Sequence, residues 1–142
     1  MGAVPLHYVD LRAFCYATED EPRVERALRT YLPEGAELDR EETTGYHGDR
    51  IVVLSARVET ADGVRHVLDR VRELEDFESV LAELDERVDD NCSFHLSLDK
   101  QAAYRGERRR GAGLQLRAKV EAYPAKRPLA IENARVALEN AA

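Results

Sequence analysis

The stretch that decides the fold is GLQLRAKVEAY, Gly113 to Tyr123. Leu114, Leu116, Ala118, Val120 and Ala122 alternate with Gln115, Arg117, Lys119, Glu121 and Tyr123. A period of two belongs to a β-strand, whose successive side chains leave on opposite faces. The segment therefore reads as a strand with one face on a core and one face outside, ended by Pro124. Just upstream, Cys92 to Leu98 alternates in the same way, with Cys92, Phe94, Leu96 and Leu98 inward and Ser93, His95 and Ser97 outward. Between the two lie a short helical turn, Asp99 to Arg105, with Asp99 placed to cap it, and a Gly- and Arg-rich loop, Glu107 to Gly113.

Working outward, His7 to Ala17 also has period two. Val9, Leu11, Ala13 and Cys15 point one way; Tyr8, Asp10, Arg12, Phe14 and Tyr16 point the other. Acidic residues and Pro22 open a helix that carries Val24, Ala27, Leu28 and Tyr31 at three- and four-residue spacing. Glu37 to Thr44 is an acidic edge strand. After a turn at Gly45 to Asp49 it forms a hairpin with Arg50 to Glu59. Thr60 caps a helix with Val64, Val67, Leu68, Val71 and Leu74 as its stripe. Phe77, Val80, Leu81, Leu84 and Val88 predict a second helix after a tight bend. Pro128 to Asn140 predicts a last helix that buries Ile131, Ala134 and Leu138. The order is β-α-β-β-α-α-β-β-α. Hairpins joined by helices imply a two-layer α+β fold, a mainly antiparallel sheet with helices on one face. At 142 residues a single domain, 1–142, is expected.

Charge is distributed unevenly. Lys100 to Arg127 holds nine basic residues (Lys100, Arg105, Arg108, Arg109, Arg110, Arg117, Lys119, Lys126 and Arg127) and two acidic ones, Glu107 and Glu121. The stretch is +7 within a chain of −7, so the remainder is −14. That predicts one continuous cationic surface on an anionic body, with an anionic partner. Bases are supplied by eighteen Arg and only three Lys, which fits either a salty cytoplasm or a GC-rich genome. In a salty cytoplasm, phosphate contacts weaken and stacking and shape must contribute more.

Several classes are not expected. Cys15 and Cys92 fall in apolar runs and read as two buried thiols, not a disulfide framework or zinc site. The first residues lack the pattern of a signal peptide, and no apolar run nears the ~20 residues of a membrane span. A cytoplasmic location is expected. His7, His47, His66 and His95 are scattered, and Asp89-Asp90-Asn91 reads as a turn, not a metal cluster. The glycines at 106, 111 and 113 lack Walker spacing. No catalytic residue, metal or cofactor is expected.

If the outward strand positions share a face, that face carries Arg12, Arg57, His95, Arg117 and Lys119, with Ser93, Ser97 and Gln115. Phe14, Tyr8 and Tyr16 stand among them. Cations with interspersed rings suit nucleic acid, the cations taking phosphates and the rings stacking on bases. A homodimer interface is the competing reading of the same face, because Phe14 and Ile51 are unusual on a free surface. Tyr104 either stacks a base or packs on the core.

Five segments resemble a known family: HYVDLRAFCYATED (His7 to Asp20), GYHGDRIVVLSARVE (Gly45 to Glu59), DDNCSF (Asp89 to Phe94), DKQAAYRGE (Asp99 to Glu107) and RAKVEAYPAKR (Arg117 to Arg127). From about His7 to Val136 the chain is similar to the archaeal RNA-binding-domain family labelled as predicted exosome subunits. Its fold is similar to that of the large-subunit ribosomal protein that binds 5S ribosomal RNA. The resemblance implies RNA rather than DNA as partner, and no catalytic residues. The resulting expectation is a non-catalytic RNA-binding protein, accessory to RNA processing or exosome-type degradation within a larger complex. Lys100, Tyr104, Arg105, Arg108, Arg109, Arg110, Arg117, Lys119, Lys126 and Arg127 would be its contacts. The alternative is a structural or interaction protein that uses the sheet face as a homodimer or partner interface.

Overall fold

A computed structural model describes residues 4–139. The elements are β1 (Leu6–Tyr16), α1 (Glu21–Arg29), β2 (Asp39–Thr44), β3 (Arg50–Val58), α2 (Ala61–Arg72), α3 (Phe77–Ala82), α4 (Leu84–Arg87), β4 (Ser93–Asp99), α5 (Lys100–Tyr104), β5 (Gly113–Val120) and α6 (Arg127–Glu139). The strands form one five-stranded sheet in the order β2-β3-β1-β5-β4, every neighbouring pair antiparallel. This is the α+β architecture that the periodicities predict.

The first strand ends up in the middle. Leu11 lies opposite Ala56 on one side and Leu116 on the other; Ala13 lies opposite Leu54 and Leu114. These residues, with Val9, are fully or almost fully buried. Residues directly opposite in an antiparallel pair share a face, so one register places all the predicted inward residues under the helices. Burying a Leu or Val there contributes roughly 1.5–3 kcal/mol apiece.

Local chemistry sets the helix starts. Thr60 accepts from the Gly63 N–H at 3.1 Å at the head of α2. A side chain at Gly63 would meet Val58 Cγ1 at 2.6 Å, so this cap and the end of β3 pack closely only around glycine. Asp99 caps α5 as expected, accepting from Ala102 N–H at 2.9 Å. Gly113, at φ +107°, admits the Lys100 side chain, whose Cβ would lie 2.6 Å from any Cβ placed there.

Three expectations are corrected. The second helix of the predicted pair is two pieces, broken at Glu83 (φ −102°, ψ 11°). Its carboxylate is held from outside the helix by Arg110, as well as by Arg87. Of the predicted stripe, Val80, Leu81, Leu84 and Val88 (the last just past α4) are buried, while Phe77 is only half-buried. β5 stops at Val120 rather than Tyr123, because the Glu121 N–H turns to the Pro5 carbonyl at 2.9 Å. Finally, α6 buries Ala130, Ala134, Ala137 and Leu138, while Ile131 is only half-buried.

The sheet edges differ. On β4, Gly111 N–H donates to Ser97 O, Asp99 N–H to Arg109 O and Asp89 N–H to Ser93 O, so neighbouring loops cover that edge. On β2 all six residues are exposed.

Candidate nucleic-acid interface

The face of the sheet opposite the helices is open. β1 contributes Tyr8, Asp10, Arg12, Phe14 and Tyr16. Their register neighbours are Arg57, Ser55, Val53 and Ile51 on β3 and Lys119, Arg117 and Gln115 on β5. β4 adds Ser93, His95 and Ser97 opposite Lys119, Arg117 and Gln115. β2 adds Asp39, Glu41 and Thr43. The middle of this surface is a trough of about 840 Å³, whose lining includes Asp10, Arg12, Asp39, Ser55, Arg57, His95, Ser97, Gln115 and Arg117.

Asp10 organises the trough. Arg57 Nε and Nη2 donate to its two carboxylate oxygens at 2.8 and 3.0 Å, and Arg117 Nη2 donates at 3.1 Å from the other side. Burial pushes the Asp10 carboxyl up, but the two guanidiniums outweigh it and hold it below the ordinary carboxylate range. Arg57 also lies over the Tyr8 ring, its Cζ 3.9 Å from the centroid. One carboxylate thus fixes two half-exposed cations, with charge left over. Arg12 adds a third; it leans over Phe14 at 5.6 Å and has no carboxylate partner among the described residues. At the β4 side, His95 Nε2 pairs with Asp89 Oδ2 at 2.8 Å. Burial pushes Asp89 up, while that pair and the N–H groups of Ser93 and Asn91 bring it below the usual range. Lys119 Nζ donates to the Asn91 carbonyl. The open face is basic along β3 and β5, through Arg57, Arg117 and Lys119, and acidic along β2.

The basic stretch does not form one surface, which corrects the expectation of a continuous cationic patch. Arg117 and Lys119 lie on the open face. Lys100 is only 6% exposed, and its Nζ donates to Phe14 O and Glu19 Oε1, both at 2.6 Å. Tyr104 is half-buried, with Arg23 4.3 Å and Arg26 5.7 Å from its ring. Arg108 pairs with Glu73 at 3.4 Å, and Arg110 with Asp76 at 2.6 Å and Glu83 at 2.7 Å, all toward the helices. Arg127 Nε donates to Val88 O at 2.8 Å. Arg105 is exposed beside Glu107. Arg109 and Lys126 are exposed, with no side-chain partner among the described residues. Alternation in the sequence identifies the open-face residues correctly. It misses Asp10 as the anchor of two arginines, because register alone brings residues 10, 57 and 117 together. Among the described residues no three His, Cys, Asp or Glu side chains stand close enough to cage a metal ion.

The family model described as RNA binding matches residues 8–120, which takes in all five strands except the first two residues of β1. The chain belongs to this RNA-binding family. A relative from Pyrococcus abyssi, an RNA-binding protein, is 34% identical over 149 aligned positions that cover 97% of each chain. A DUF54 protein of Methanothermobacter thermautotrophicus has a solved structure that is 41% identical with a TM-score of 0.79, covering 94% of this chain and 98% of that one. A DUF54-model protein of Archaeoglobus fulgidus superposes with a TM-score of 0.84 at 27% identity, covering 93% and 99%. The archaeal family inferred from the five segments is therefore the right one. No helix among the described residues is long and apolar enough to cross a membrane.

Proposed function

We propose that this protein binds RNA on the open face of its sheet and does no chemistry on it, acting as an accessory to RNA processing or exosome-type degradation. The observation that carries this reading is the trough in which Asp10 holds Arg57 and Arg117 side by side, with Arg12 free nearby. Guanidiniums held in a fixed fork suit phosphate oxygens and ribose hydroxyls, and Ser55, Ser97 and Gln115 supply neutral hydrogen-bonding groups between them. Arg12, Arg57, Arg117 and Lys119 take phosphates in this reading. Arg105, Arg109 and Lys126 remain available for outlying, salt-sensitive contacts. Lys100, Arg108, Arg110 and Arg127 serve the protein itself, and Tyr104 is held by its two arginines.

Filter binding of the protein to structured and single-stranded RNA across a salt series tests the reading. Affinity that falls as salt rises, with a shallower slope for Arg12→Ala and Arg117→Ala, is the expected result. Unchanged affinity in both variants would remove the trough from the site. A homodimer through the same face has one observation in its favour, the apolar quarter formed by Phe14 opposite Val53 and Tyr16 opposite Ile51. Light scattering that shows a dimer dissociated by Ile51→Lys would support it.

A further inference from the structure

Among the described residues, the large apolar side chains that stand exposed are Tyr16, Tyr46, Tyr123 and Val136. Two of these four belong to one end of the sheet. Tyr16 closes β1 on the open face, half exposed, with Ile51 opposite. Phe14, one step back on the same face, lies opposite Val53. Tyr46, 98% exposed, sits in the β2–β3 turn just beyond, and its ring meets His47 edge-on at 5.0 Å. That turn packs on Ile51, whose Cδ1 would lie 3.0 Å from a Cβ at Gly45. Side chains two apart on a strand stand about 7 Å apart, and neighbours across strands about 5 Å. Phe14, Tyr16, Val53 and Ile51 therefore form one continuous apolar patch.

The borders of the patch are polar and of two kinds. Arg12, two residues from Phe14 along β1, leans over the Phe14 ring and begins the cationic rows of the trough. On the other side, Glu41 lies opposite Val53 and Thr43 opposite Ile51. A protein partner fits this patch poorly. Phe14, Val53 and Ile51 are already half-buried. Even with Tyr16, what remains is on the order of a few hundred Å², against ~800 Å² per partner in a stable interface. An unpaired RNA base fits it in size and in chemistry. Its apolar face stacks on a ring, its edge N–H groups reach Glu41 and Thr43, and its phosphate falls to Arg12. A duplex keeps its bases stacked on one another and offers the patch only sugar and phosphate. Its second backbone would also meet Asp39 and Glu41 on β2, about 14 Å from β5, and like charges repel there.

We propose that the open face takes single-stranded RNA, with unpaired bases stacked on Phe14 and Tyr16 and the backbone running along β1 to Arg12 and the Asp10 trough. This rests on the RNA reading and adds to it the form of the RNA and the side chains that select that form.

Fluorescence anisotropy of a labelled single strand of about 10 nucleotides, and of the same RNA annealed to its complement, tests the inference. The parent should bind the single strand at least about tenfold more tightly than the duplex. Phe14→Leu and Tyr16→Leu keep the patch apolar and remove a ring. Each should weaken single-strand binding about tenfold. Duplex binding and the slope of log affinity against log salt should stay unchanged, because no phosphate contact is lost. Arg117→Ala should show the reverse signature, a shallower slope. Tyr16 is half exposed, so its variant carries the test if Phe14→Leu fails to fold. Duplex bound as tightly as the single strand, or single-strand affinity indifferent to both ring variants, overturns the inference and leaves the RNA reading standing. A parent dimer that Ile51→Lys dissociates gives the patch to a second copy and also overturns it. Failure to bind RNA in either form removes the reading itself, and the inference with it.

Discussion

The cations of the open sheet face and those of the helix side make an instructive pair. Arg57 and Arg117 keep about half of their side-chain surface, 48% and 49%, and share one carboxylate between them. Lys100 keeps 8%, Arg108 12% and Arg110 24%, each paired with at least one carboxylate of the body. Both groups look alike in a charge count. Only the first projects a positive field into solvent; the second stitches loops to the body. Net charge along a sequence is therefore a poor guide to where a polyanion can land, because an ion pair cancels at a distance what each member contributes alone.

Predictions that sharpen or break this contrast run from large to small. Lys100→Met leaves the Glu19 carboxylate and the Phe14 carbonyl without their shared donor in a nearly dry place. It should lower unfolding free energy by about 3 kcal/mol in urea titrations, while RNA affinity measured under folded conditions stays unchanged. A loss of RNA binding without a loss of stability would move Lys100 into the other class.

Acid sensitivity should come from the same pair. Burial pushes Glu19 up, but Lys100 and the Tyr16 N–H hold its carboxyl below the ordinary 4.5. A depressed folded value means that the stabilisation is complete above the ordinary value and drains away as pH falls toward the folded one. Denaturation midpoints of the parent should thus drop from about pH 4.5 downward, and Glu19→Gln should show a flatter profile over that window.

On the open face, Arg117→Ala should weaken RNA binding about tenfold and reduce the slope of log affinity against log salt by about 0.7–0.9. Arg110→Ala, whose guanidinium is spent on Asp76 and Glu83, should leave that slope intact. Equal effects from the two variants would erase the distinction between the faces. The smallest change belongs to Arg105→Ala. Its partner Glu107 lies at 3.3 Å on an exposed surface, and melting should show no measurable shift.

Much of the architecture was legible in advance because it depends on short-range periodicity. Strands at 6–16, 50–58, 93–99 and 113–120 repeat every second residue, and α2 repeats every third or fourth, so each declares its own buried side. The break at Glu83 was not legible. Arg110, which holds the Glu83 carboxylate at the break, lies in a loop far along the chain, and nothing in the sequence from Phe77 to Val88 announces the break. The fate of Arg108 was hidden for the same reason. In sequence it belongs to a triplet of equals; in space only Arg109 of the three points to solvent without a partner among the described residues.

Sequence alone determined which residues could be inside, what kind of element each segment makes, the layer order and the family, since these follow from side-chain pattern within one element. Tertiary structure alone decided which charges survive as surface potential. That depends on which strand lies beside which: the pairing of β1 with both β3 and β5 sets Asp10 between Arg57 and Arg117, while the loop before β5 turns Arg108 and Arg110 toward the helices. Electrostatic attraction acts through space over a few ångströms, and distance along the chain does not report it.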